Sequence, residues 1–259
     1  MSPVTDLSLV LPAYDEASRI GPALDELFDY LRASRPVAGE LEVVVVDDGS
    51  TDDTVAIVEA RPEAQGASPG VRLRVLRVPH RGKGAAVRAG MLDARGDMVI
   101  FADADMATPP DQLPRLLAAL RDHDVALGSR IQPDGSDMRA TQPGYRRLLG
   151  KGFHLLASVW VVGPVQDTQC GFKGFNRAVA QDVFSRQRVT SIVFDVEIIY
   201  LVRARGYRFA IVPIRWFDQR GSRMRARPGL ALRVAWDLFR IRLLHRGDGG
   251  RTTRPYPDG

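Results

Sequence analysis

Short apolar runs that alternate with segments of helical period restrict this chain more than any other feature. Residues 7–11 (LSLVL), 41–46 (LEVVVV), 71–78 and 98–102 (MVIFA) read as strands, rich in Val, Leu and Ile as suits strands covered on both faces. Between them, residues 20–33 carry Ile20, Leu24, Leu27, Phe28 and Leu31 at helical spacing. Thr51-Asp52-Asp53 opens a short helix with capping residues, 84–95 is an Ala-rich helix, and Pro109-Pro110 opens another with proline in its tolerated first turn. Val125-Ala126-Leu127 is a short fifth strand, 145–162 and 194–205 are apolar helices, and 208–214 is a last strand. This order predicts an α/β fold with a mainly parallel, Rossmann-like sheet flanked by helices. Ligands on such sheets bind outside the carboxyl ends of the strands.

A hydrophobic fraction of 45% in 259 residues supports a sizeable core and excludes disorder. The expected organisation is one domain over 1–228, followed by a basic helix and frayed tail over 229–259. Cys170 is the single cysteine, so no internal disulfide forms and a reducing compartment is expected. No run of ~20 apolar residues could span a bilayer, and acidic Asp6 and Asp15 around the first strand do not read as a signal peptide. The expected location is therefore cytoplasmic, peripherally associated with the cytoplasmic face of a membrane. A net charge of +5 and a pI of about 9.7 suit an anionic partner. Arginine carries that charge, with only Lys83, Lys151 and Lys173 as lysines, which genome composition explains without function.

The polar residues gather at the predicted carboxyl ends. Asp103 and Asp105 follow the fourth strand two residues apart, and carboxylates so placed repel unless a cation lies between them. Oxygen ligands with no His or Cys nearby point to Mg²⁺ or Mn²⁺. The competing reading, an N-cap pair, suffers because the Pro109 helix starts several residues later. Pro12-Ala-Tyr-Asp-Glu16 after strand one would alone be a solvated loop. Val46-Asp-Asp-Gly-Ser-Thr-Asp52 after strand two is either a capped turn or a place where Asp48 accepts from a base or ribose. His80-Arg-Gly-Lys-Gly-Ala85 lacks the Ser or Thr of a Walker loop and the third glycine of a dinucleotide fingerprint; what remains is a cation at a helix N-terminus. Arg130, in Gly128-Ser-Arg130, is a surface ion pair or a phosphate fork. In Asp167-Thr-Gln-Cys-Gly-Phe-Lys173, Cys170 has no nearby base and reads as a buried small residue, leaving Asp167 as the better site candidate. Phe194-Asp-Val-Glu197 reads as first-turn acids favoured by the helix dipole. The polar loop 131–143 has the composition of a lid.

As an ordered set, from about Leu7 to about Arg225, these motifs resemble the family-2 glycosyltransferases with the GT-A fold. Within that family they are similar to the polyprenyl-phosphate sugar synthases; Asp167–Lys173 and Phe194–Glu197 resemble the dolichyl-phosphate glucosyltransferase branch. The resemblance implies a nucleoside-diphosphate sugar donor, UDP-glucose by branch, and a polyprenyl-phosphate acceptor. It implies that Pro12, Ala13, Tyr14 and Glu16 contact the nucleoside, that Val46 and Asp48 hold base and ribose, and that Lys83 lies near the donor phosphates. Asp103, Ala104 and Asp105 would carry metal and diphosphate, with Asp105 the surest ligand, and Arg130 and Arg223 would bind donor or acceptor phosphate. One departure weakens a mannose reading with GDP-mannose: mannose synthases often place a glutamine where this chain has Ala107.

Inversion is expected, because the acceptor attacks from the face opposite the leaving group. A phosphate monoester, with a second pKa of about 6, hardly needs a general base; a hydroxyl acceptor would, and Asp167 would be the candidate. From 215 to 246 there are nine arginines and two acids, interleaved with Trp216, Phe217, Trp236 and Phe239. A helical wheel over 230–244 shows two apolar arcs with arginines between them. That suits either a helix facing an anionic membrane surface, joined by the 145–162 helix with Trp160, or an ordinary packed helix. Two other rivals fit less well. A nucleotidyltransferase would carry a Gly-rich, arginine-bearing loop after strand one, and no nucleic-acid module is visible.

Overall fold

The computed structural model describes residues 5–138, 161–163, 165, 167–218 and 228–248, with side chains in the C-terminal helix described from 234 onward. The predicted helix 145–162 with Trp160 lies outside the described residues except at its last two positions, as do Arg223 and the end of the 131–143 loop.

Among the described residues, seven strands form one sheet in the order β3-β2-β1-β4-β6-β5-β7. They are β1 (Thr5–Ala13), β2 (Glu40–Asp47), β3 (Val71–Arg77), β4 (Met98–Phe101), β5 (Val125–Ser129), β6 (Lys173–Asn176) and β7 (Phe209–Pro213). The helices are α1 (Ala17–Ser34), α2 (Thr54–Glu59), α3 (Lys83–Asp93), α4 (Leu113–Asp122, after a 3₁₀ turn at Pro110–Gln112), α5 (Arg177–Arg186), α6 (Phe194–Ala204) and α7 (Pro228–Leu244).

Strand periodicity divides the core in two. Val10, Val44, Val46, Val99 and Phe101 point to one face, against α3, α5, α6 and α7. Leu9, Leu11, Val43, Val45 and Ile100 point to the other, against α1 and α4. The stripe Ile20, Leu24, Leu27, Phe28 and Leu31 that predicted α1 is the stripe it buries, each residue contributing about 1.5–3 kcal/mol as an upper estimate.

The sheet is parallel except at β6, which runs antiparallel between β4 and β5 (Phe101↔Lys173, Leu127↔Lys173). Sequence reading took this region as a polar loop between apolar helices. Four residues containing Gly174 have little strand character of their own; pairing on both sides makes them a strand. Because β6 runs backwards, the segment 167–172 leading into it arrives at the carboxyl ends of β4 and β5.

Both arcs of α7 have a role. Leu238 and Ile241 sit in the same core cluster as β1, β4 and α6. On the outer side Trp236, Phe239 and Leu243 are 59%, 46% and 41% exposed, and the Trp236 and Phe239 rings stack at 6.0 Å. The helix end is anchored by buried His245, whose Nε2 lies 2.7 Å from Glu197 and whose Nδ1 lies 2.6 Å from Asp248. Glu197 also accepts the Arg188 and Val189 amide N–H groups at 2.9 and 2.8 Å. It is thus a buried structural carboxylate rather than a solvated first-turn acid.

Candidate active site

The register Val10↔Phe101, continued by the Ala102 N–H on the Val10 carbonyl at 3.0 Å, sets residues 103–105 just beyond the sheet, level with the end of β1. A tight turn then folds back, with the Met106 N–H on the Asp103 carbonyl at 3.2 Å and Met106 at φ 50°. A methionine in the left-handed region costs of order 1 kcal/mol or more.

Asp103 pairs with the Lys83 ammonium. It also lies tight against Gly171, where a Cβ would force the Asp103 carboxylate to shift. Asp105 accepts the Ala107 N–H at 3.2 Å and has Arg19 Nη1 at 3.9 Å. Burial, and then the charge of Asp103, push the Asp105 carboxyl above its usual range. Burial lowers the Lys83 pKa, but Asp103 and Asp195 outweigh it and raise the ammonium above its ordinary value.

Beneath this pair, buried Lys173 on β6 bonds to Asp195 at the start of α6 and to the Cys170 carbonyl, the latter at 2.5 Å. Its ammonium stands 5.4 Å over the Phe101 ring. Burial raises the Asp195 carboxyl, while Lys173 and Lys83 oppose it. Burial, and then Asp167, push the Cys170 thiol up to about 12, so it stays protonated, as expected of a buried small residue.

Several expected contacts differ from the sequence reading. Val46 is fully buried under α3 with its backbone in the sheet, so it does not reach the cleft. Ala13 and Ala104 are also buried, and the Ala13 carbonyl accepts the Asp48 N–H at 2.9 Å. Asp48 accepts the Arg81 and Gly82 N–H groups, both at 2.9 Å, with His80 Nδ1 also at 2.9 Å. It clasps the loops after β2 and β3 rather than standing open to a ribose. Gly82, at φ 99°, is the residue that lets this loop turn into α3.

Arg130 donates through Nε and Nη2 to Asp167 at 2.8 and 2.6 Å, and its backbone N–H adds a third bond at 2.8 Å. Trp216 covers the guanidinium at 5.5 Å. The Arg130 fork is thus engaged by Asp167, whose carboxylate already accepts three N–H donors. Glu16 is held by Arg19 at 2.6 Å and donates its own N–H to Thr54 at 2.7 Å. Pro12 is half-buried at the end of β1. Tyr14 is exposed and stacks on His80, ring centroids 4.2 Å apart.

Arg19, His80, Gly171, Trp216 and the Lys173–Asp195 pair escaped sequence reading as site residues. All lie in or next to quoted motifs, but only the fold shows which motif each one serves.

The glycosyl transferase family 2 model matches residues 8–184. The chain belongs to glycosyl transferase family 2. Among family members, it is 39% identical over 233 residues to a dolichyl-phosphate beta-glucosyltransferase of Drosophila melanogaster, covering 86% of this chain and 70% of that one. The human dolichyl-phosphate beta-glucosyltransferase is 37% identical, covering 86% and 71%. The fold matches that of glucosyl-3-phosphoglycerate synthase from Mycobacterium tuberculosis in complex with UDP (TM-score 0.60, 22% identity, 96% of this chain and 82% of that one). The same enzyme with Mn²⁺, UDP-glucose and phosphoglyceric acid matches at TM-score 0.57 and 19% identity over 96% and 81%. The chain is accordingly a glycosyltransferase with a mixed, mostly parallel α/β fold.

Proposed function

We propose that this enzyme transfers glucose from UDP-glucose to a polyprenyl or dolichyl phosphate, with inversion at the anomeric carbon. The observation that carries the reaction class is the Asp103–Asp105 turn at the carboxyl ends of parallel strands, facing Lys83. The acceptor and sugar rest on the similarity to dolichyl-phosphate glucosyltransferases over most of the chain.

The residues present fit a divalent cation. Asp103 and Asp105 supply oxygen ligands, and an ammonium already stands on one of them. Among the described residues no group of three or more His, Cys, Asp or Glu could hold a metal by itself, so donor diphosphate oxygens and water would complete the shell, as is usual for Mg²⁺. When bound, such an ion neutralises charge growing on the leaving diphosphate. Lys83 adds positive charge at the same place. The stacked Tyr14 and His80 rings give the base an aromatic wall. Asp167 fixes Arg130 through three hydrogen bonds, and Nη1 would be the part of the guanidinium left for a phosphate. The acceptor phosphate attacks as an ionised oxygen, so no residue has to remove a proton from it.

The acceptor tail lies in a bilayer, and the outer face of α7 is suited to meet it. Trp236, Phe239 and Leu243 form an apolar ridge, with exposed Arg242 and Arg246 beside it to attract anionic headgroups. Among the described residues no helix is long and apolar enough to cross a membrane. We propose that the enzyme works at the cytoplasmic face of a membrane, with the exposed ridge of α7 as one point of contact.

The deciding experiment offers labelled UDP-glucose with polyprenyl phosphate, and separately with soluble sugars, in Mn²⁺ or Mg²⁺. Label in the lipid phase, absent for Asp105→Ala, is expected. Label transferred only to soluble sugars defeats the acceptor assignment, and transfer from GDP-mannose in preference to UDP-glucose defeats the donor assignment.

A further inference from the structure

The two carboxylates assigned to a divalent cation are each faced by a cation of the chain. Lys83 Nζ is on Asp103, and Arg19 Nη1 is 3.9 Å from Asp105. The buried carboxylate behind them, Asp195, has its own partner in Lys173. Asp103 and Asp195 are thus paired, without any metal, by Lys83 and Lys173, while Arg19, already held by Glu16, only stands near Asp105.

The two outer cations differ in freedom. Arg19 is tied by Nε and Nη2 to Glu16, both at 2.6 Å, and is anchored in the first turn of α1. Lys83 has a four-carbon stem, and the side chain is 37% exposed. Asp103 is its one hydrogen-bond partner among the described residues. It begins α3, so its ammonium can swing without moving the helix. A compact ammonium and a hard divalent cation compete for the same carboxylate oxygens.

We propose that Lys83 is a built-in stand-in for the divalent cation. In the donor-free enzyme its ammonium holds Asp103; the arriving metal displaces it, and the freed ammonium passes to the donor diphosphate. Metal alone must then compete with Lys83, whereas metal and donor together give every charge a partner. The two therefore bind with positive coupling, each raising the affinity of the other by the same factor. This rests on the proposed reading of Asp103 and Asp105 as metal ligands.

Lys83→Met keeps the stem and removes the charge. Free Mn²⁺ is followed by electron paramagnetic resonance during titration of the donor-free enzyme, and UDP binding is measured by calorimetry with and without Mn²⁺. The methionine variant is expected to bind Mn²⁺ alone about three- to tenfold more tightly than wild type. It should bind UDP more weakly in the presence of Mn²⁺, and the coupling factor should fall toward one. Lys83→Arg, which retains a cation, is expected to keep the weaker Mn²⁺ affinity. Mn²⁺ binding by the methionine variant that is unchanged or weaker overturns the proposal, as does an arginine variant that binds Mn²⁺ as tightly as the methionine variant. A wild type that binds neither Mn²⁺ nor UDP removes the metal reading along with it, an outcome distinct from normal wild-type binding with an unresponsive variant.

Discussion

Asp105 shows at the level of one residue how this site is held in a state the fold alone would not choose. Its carboxylate is partly buried beside a second carboxylate, and both effects raise its pKa. The folded protein therefore binds the proton more readily than the unfolded chain does, and at neutral pH the charge opposes folding. Asp105→Asn removes the charge with little change of shape. In metal-free buffer it is expected to melt about 2–4 °C above wild type while losing turnover by about a hundredfold or more. A melting curve and an assay on the same sample check both, and an Asn variant that melts lower counts against the electrostatic account. At this scale the residue types were legible: acids, a lysine and an arginine stood at strand ends in the sequence. Their partners were not. Arg130 reads equally well as a phosphate fork or an ion pair, and only the return of residues 167–172 to the end of β5 puts Asp167 on it.

Helices and parallel strands with a strong period were legible as elements, because burial on one helical stripe or on both strand faces leaves its pattern in the residues. β6 was not, since its pattern is supplied by its neighbours. The attachment of α7 was legible only as an ambiguity between two apolar arcs. The structure resolves it by burying one arc and exposing the other, then locking the helix end with His245. Burial lowers the His245 pKa, but Glu197 and Asp248 outweigh it and raise it above the ordinary value. Arg186, bonded to Asp248 at 2.8 Å, and the Tyr200 ring at 6.0 Å complete its surroundings. A raised histidine pKa means that the stabilisation is fully present below about pH 6.5, the unfolded value, and is lost as pH rises through the higher folded value. The stability lead of wild type over His245→Gln is expected to shrink across that window, and melts in a pH series read it directly. A lead that grows with pH contradicts the charged pair.

At the scale of the whole molecule, one side of the sheet's carboxyl edge carries the proposed donor site and α7 presents a ridge of aromatic and cationic side chains. Replacing Trp236 and Phe239 together by alanine removes two large apolar surfaces that pack only partly on the protein. Sedimentation with anionic vesicles is expected to fall roughly tenfold or more, with the melting temperature nearly unchanged. Vesicle binding equal to wild type would show that α7 is not the contact. The net charge of +5 pointed to an anionic partner without saying which. The position of the arginines beside the exposed ridge is what the proposed lipid contact rests on.

The sequence alone determined the α/β class, the parallel half of the sheet and the strand ends where chemistry gathers, because these follow from local periodicity and from which residues tolerate burial. It also determined the family, because its motifs occur in a fixed order. Tertiary structure decided which charge meets which. Lys83 on Asp103, Arg130 on Asp167, Lys173 on Asp195 and His245 on Glu197 join residues from 20 to 48 positions apart. Such pairings depend on strand order and on the reversed direction of β6, and no local pattern in the chain encodes either.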